Sequence, residues 1–154
     1  MFLRGAFYTA YMQGVIRTGV CFFCHDGGGK YLISKRSKNC RDEQGRWDPG
    51  GGGVKFGEKI EDAVLREILE EYGTEVLDVE FLGFRDVFRE QNGVQTHWVT
   101  FDFRVKVDSA EVKNMEPHKC DELRWVTIDE VSNYPEPVHS QFPFYLEKYR
   151  ERFL

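Results

Sequence analysis

Residues 50–73 read GGGGVKFGEKIEDAVLREILEEYG, and their second half decides the fold. Ile60, Val64, Leu65, Ile68, Leu69 and Tyr72 recur at helical spacing, and Gly73 supplies a residue tolerant of the left-handed conformation that ends helices. The spacing predicts a helix over Ile60–Tyr72. Upstream, residues 37–57 turn from polar to glycine-rich around Trp47 and Pro49, which predicts a long loop without regular structure. Glycines just before a helix let the loop backbone pack closely against it, because no side chain intervenes.

Working outward, residues 15–36 read as two strands joined by a turn at Asp26, Gly27, Gly28 and Gly29, since glycine tolerates the positive φ of tight hairpins. Residues 76–89 and 94–107 are rich in β-branched and aromatic side chains, with Gln91, Asn92 and Gly93 between them, and predict two long strands. A further strand is expected at 123–128. After a proline-punctuated stretch at 135–143, a last helix is expected over 144–153, with Pro143 suited to its first turn. Strands interleaved with two helices favour a mixed β-sheet covered on both faces, an α/β sandwich, as one domain over residues 1–154.

A composition of 41% hydrophobic and 31% charged residues belongs to a soluble globular protein. The formal charge of −5 argues against a nucleic-acid partner, which calls for a basic stripe, and leaves room for a small anionic substrate if metal reverses the local sign. No long apolar run marks a membrane span. Residues 1–12, aromatic-rich but interrupted by Arg4, read as a first strand or a leader. Cys21, Cys24, Cys40 and Cys120 read as reduced thiols, which points to the cytoplasm. Cys21 and Cys24 have zinc-knuckle spacing, but three positions along a strand put them on opposite faces and no second pair exists; buried strand cysteines are the expectation.

On the wheel of the predicted helix Glu67, Glu70 and Glu71 share a face flanking the apolar stripe. A solvated acidic face would be the ordinary explanation. It fits poorly, because Glu67 and Glu71 lie four apart and repel, and Glu70 and Glu71 sit at the helix end where the macrodipole disfavours negative charge. Each effect costs about 0.3–1 kcal/mol, and Arg66 alone compensates. A cation is missing from the sequence, and oxygen donors suit Mg²⁺ or Mn²⁺. A phosphate-binding P-loop is excluded, since Lys55 is followed by Phe56 rather than Ser or Thr.

Gly52, Glu58, Arg66, Glu67, Ile68, Glu70, Glu71 and Gly73 stand at the spacing of the Nudix box, and the chain resembles the Nudix hydrolase superfamily, in particular its MutT-like members. It departs in Thr74, where a bulky aliphatic is usual, and in Pro49, one place early. The resemblance implies a Nudix-type α/β/α sandwich. It also implies hydrolysis of nucleoside diphosphate derivatives with Mg²⁺ or Mn²⁺ held by Glu67, Glu70 and Glu71. By the same resemblance Glu67 would be a metal ligand or the base, and Glu122 a further acid or base. Arg66 would join them while bracing the loop through Glu58. Arg36 would face the substrate phosphates beside Gly51 and Gly52. Trp47, Trp98, Tyr134 and the stretch at 136–139 are candidates for stacking on a base. A nucleoside triphosphate, oxidised ones included, is the expected substrate, with ADP-ribose or a nucleotide sugar next. Rival readings are an isopentenyl diphosphate isomerase, for which Cys40 speaks, and a ligand sensor without catalysis. Exposed strand edges allow a homodimer.

Overall fold

The structure, a computed structural model, describes residues 14–154; the opening segment expected to be a strand or leader lies outside the described residues. Strand β1 (Ile16–His25) is the wall between two cores. Its even residues Val20, Phe22 and Cys24 face one core, and its odd residues Cys21 and Phe23 face the other, as the period of two requires. Cys21 and Cys24 are therefore on opposite faces, both buried.

Along its length β1 runs parallel to β6 (Val94–Val107), which pairs antiparallel with β5 (Val76–Gln91). On its other edge β1 touches β2 (Tyr31–Arg36) only at His25↔Tyr31. The expected hairpin is thus paired only at its root. The reason lies in the segment expected to be structureless: Gly51–Gly53 forms β4 and pairs with Gly19, Val20 and Cys21, occupying the edge that β2 would have used. Trp47–Asp48 forms β3 on β2, whose other edge carries β7 (Cys120–Val126). The strands splay, and the gap between them is the cleft described below.

Helix α1 (Ile60–Tyr72) has the bounds its periodicity predicts, and Gly73 closes it at φ 64°. It buries Ala63, Val64, Ile68 and Tyr72 against Phe22, Phe103, Val105 and Val107. On the opposite face α3 (Phe142–Phe153) buries Phe142, Tyr145, Tyr149 and Phe153 against Phe23, Tyr31 and Ile33. The short α2 (Ile128–Ser132) was not anticipated. Thr127 and Glu130 form its capping box, so the strand expected to reach Ile128 ends at Val126. The result is a mixed, curled sheet between helical layers, the α/β sandwich expected.

Candidate active site

The splayed strands open a cleft of about 660 Å³, lined on one side by residues 50–53 and by Glu67 and Glu71 of α1. Gly52 is there because nothing larger fits: a Cβ would lie 2.0 Å from the Glu67 carboxyl carbon. Arg66 organises the acidic group. Its guanidinium donates to both oxygens of Glu58 at 2.7 and 2.9 Å, to Glu67 at 2.7 Å, to Glu70 at 3.3 Å and to the Gly53 carbonyl at 2.9 Å. Glu58 also accepts from the Lys55 amide, and these donors bring its carboxyl down to about 2. Loop and helix are thereby clamped together.

Glu71 differs. Its carboxylate has no hydrogen bond or ion pair among the described residues, and burial, reinforced by the charges of Asp48, Glu67 and Glu116, pushes its carboxyl well above the usual range. Burial likewise raises Glu67, against the pull of Arg66. Lys119 lines the cleft beside this group, bonded to Glu116 at 3.0 Å and raised by that contact. The segment that brings Glu116 and Lys119 here is pinned to the end of α1, where the Met115 and Lys113 amides donate to the Glu71 and Tyr72 carbonyls.

As donors, Glu67 and Glu71 suit a hard divalent ion: oxygen ligands, enclosed, with excess negative charge. Among the described residues no three acidic, histidine or cysteine side chains surround one point, because Glu67 and Glu70 turn to Arg66. Glu70 is half exposed, contacts Lys55 at 3.9 Å and does not line the cleft.

Gly51, Gly52 and Arg36 do line it. Arg36 is already engaged, by Asp42 at 2.7 Å and Asp48 at 2.8 Å. Trp47 is not at the cleft surface. It is 0% exposed in the α3-side core, edge-on to Tyr134 with Arg124 over its ring, so no base can stack on it there. Tyr134 packs with it outside the cleft, and Glu122 is exposed on β7, paired with Arg124 at 2.6 Å. Of the other aromatic candidates Trp98 lines the cleft, as does His139. Sequence reasoning missed the opposite wall: Arg85, Val87 and Arg89 on β5, Thr100 on β6, and Gln141 and Tyr145 at the start of α3. The period-two spacing of Arg85, Val87 and Arg89 was a signal for a shared strand face.

Comparison with known proteins agrees with this fold. The crystal structure of a MutT Nudix hydrolase from Burkholderia pseudomallei superposes with a TM-score of 0.74 at 30% identity, covering 87% of this chain and 98% of that one. The MutT protein from Methanosarcina mazei Go1 gives 0.73 at 24% identity, a likeness of fold. Among curated relatives, the Nudix hydrolase YvcI of Bacillus subtilis is 26% identical over 96 residues, 62% of this chain and 60% of that protein. The nucleoside triphosphatase NudI of Salmonella arizonae is 41% identical over 75 residues, 47% of this chain and 52% of that protein. The alignments thus span about half to three fifths of these relatives. The family model described as the NUDIX domain matches residues 15–147, and with the box residues clamped as described the chain belongs to the Nudix family.

Proposed function

We propose that the protein is a pyrophosphohydrolase cleaving the diphosphate linkage of a nucleoside triphosphate, oxidised ones included, to a monophosphate and pyrophosphate, with Mg²⁺ or Mn²⁺ as cofactor. The observation that carries this reading is Glu71, a half-buried carboxylate without a partner among the described residues, beside Glu67 at the cleft wall. Glu67 and Glu71 would hold the ion, with Glu70 reaching it after leaving Arg66. A divalent ion there supplies charge neutralisation for the phosphates and an acidified water.

The chain's own groups do the rest. Glu67, raised by burial, is suited to accept a proton from attacking water. Arg66 and Glu58 keep the glycine strand against the helix. Lys119, lining the cleft beside the glutamates, would present positive charge to the diphosphate. A volume near 660 Å³ accommodates a nucleotide. The thiols are reduced in this reading, in keeping with the cytoplasm, and among the described residues no helix is long and apolar enough to cross a membrane.

The test is a panel of nucleoside triphosphates with Mg²⁺, scored for pyrophosphate against phosphate release. Pyrophosphate is expected; no release, or formation of dimethylallyl diphosphate from isopentenyl diphosphate, overturns the reading. A second reading, an ADP-ribose or nucleotide-sugar pyrophosphatase, has one observation in its favour. A neighbouring hollow of about 530 Å³, with Arg17, Phe56 and Trp98, joins the cleft at Gly53 and offers room for a second moiety. Self-association through the β5 edge, where Phe84 and Phe88 are exposed, belongs to the same proposal and is checked by sedimentation.

A further inference from the structure

The wall of the cleft formed by β5 and the start of α3 has a fixed hydrogen-bonding polarity. Arg85, with a side chain 10% exposed, donates from Nε to Asp102 at 3.2 Å. Asp102 is fully buried and also accepts from the Tyr149 hydroxyl at 2.8 Å, while its other oxygen has no partner. One terminal nitrogen of Arg85 donates to Gln141 Oε1 at 2.9 Å and the other to the Tyr145 hydroxyl. The guanidinium also packs on the Tyr145 ring, 4.8 Å from its centroid, and on Phe144 at 5.6 Å. It cannot turn without leaving Asp102 buried and uncompensated.

Two consequences follow for what the wall shows a ligand. A guanidinium carries five N–H groups, so each terminal nitrogen of Arg85 keeps one donor beyond those in use. Gln141 has its oxygen committed to Arg85, so it presents its amino group, and flipping the amide would set donor against donor. Arg85, Gln141 and Tyr145 all line the cleft, whereas the carboxylate of Asp102 does not. Arg85 and Gln141 therefore offer donors, on elements other than the helix that carries Glu67 and Glu71.

Resting on the nucleotide reading above, we infer that Arg85 and Gln141 are specificity-determining residues that accept a base through a carbonyl-bearing edge and disfavour one that turns an amino group to them. Guanine offers O6 and N7 together, and thymine or uracil offers carbonyl oxygens; adenine places its N6 amino group beside N7. Arg85 and Gln141 leave that amino group facing another donor, and a well-formed base contact of this kind discriminates by about tenfold to a hundredfold. Asp102 is a positioning residue, acting through Arg85.

The experiment measures kcat and KM for dGTP, dTTP, dCTP and dATP with Mg²⁺, for the unaltered protein and for Gln141→Glu and Arg85→Lys. The expected result is that dGTP or dTTP exceeds dATP in kcat/KM by tenfold or more. Gln141→Glu, isosteric and at the cleft surface, should narrow or reverse that ratio mainly through KM. Arg85→Lys, which keeps the charge but loses the fork, should narrow it in the same direction. Preference for dATP, ratios within threefold, or an equal fall on all four substrates in Gln141→Glu would overturn the inference while leaving the hydrolase reading intact. Failure of the unaltered protein to release pyrophosphate from any of the four overturns the hydrolase reading itself, and the inference with it.

Discussion

Gly52→Ala should separate folding from catalysis more sharply than removal of any carboxylate. The backbone tolerates alanine, since Gly52 is not among the glycines with positive φ. The added Cβ would meet the Glu67 carboxyl carbon at 2.0 Å and its oxygens at 2.2 and 2.5 Å, whereas ordinary contact begins at 3.4 Å. Glu67 must then retreat by about 1.4 Å, and displacement on the 1 Å scale costs roughly 10²-fold in rate. The atom that yields is the end of a flexible side chain, so folding is little affected. Loss of the Arg66–Glu67 contact, about 1 kcal/mol for a partly exposed pair, is offset by the 0.4–1 kcal/mol that Gly→Ala stabilises through the unfolded chain. Pyrophosphate release should therefore fall by about two orders of magnitude, with thermal unfolding shifted by only a few degrees. Gly51→Ala is the contrast: its Cβ would strike the Val20 carbonyl oxygen at 2.6 Å, backbone that cannot move, and stability should drop. In a Gly52→Ala, Glu67→Ala double variant the losses should not add, because both act on one group. A Gly52→Ala protein that folds and keeps its rate within threefold would refute the placement of Glu67 in the chemistry.

Glu71→Gln should lower turnover by roughly 10²-fold or more, the scale of losing one directed electrostatic contact. Without divalent ions it should also be the more stable protein at neutral pH, by about 1 kcal/mol, as relief of a half-buried carboxylate beside other negative charges implies. The raised Glu71 carboxyl contributes stability below its unfolded value near 4.3 and loses it as pH rises through the folded value, so the gap in melting temperature should widen from pH 4 to 8. Parallel melting curves across that range would count against it. Thr127→Ala removes the capping box of α2 and should cost about 1 kcal/mol in denaturant unfolding without altering kcat. With a thiol reagent on the native protein, Cys21 and Cys24 should stay unmodified until unfolding. Cys120, pushed up to about 11 by burial, should react more slowly than a free thiol; rapid modification of Cys21 would contradict the packing of β1.

The legible parts of this fold are those fixed by local periodicity. Helix α1 was readable from six apolar residues and Gly73, and the long β5–β6 pair from its aromatic content and the Asn92–Gly93 turn. Residues 47–53 were not, because Gly51–Gly53 becomes a strand only by finding the free edge of β1, and no side chain announces that partner. For the same reason Trp47 looked like a ligand-stacking residue on a loop, although bridging to Val138 and packing under Arg124 bury it completely. In the candidate site the acidic wall was visible as a like-charged face on one helix. The donor wall is assembled from β5, β6 and α3, and the sequence separation between Arg85 and Gln141 hides it.

Arg66 grips Glu58 with two parallel hydrogen bonds while touching Glu67 with a single one. An ion entering the cleft would therefore compete with an arginine for Glu67, and its affinity would be a ratio of two affinities rather than an intrinsic one. Because the two-point grip on Glu58 would survive the exchange, the glycine strand would stay anchored as ligands come and go, with Glu67 and Glu70 the side chains that change partner.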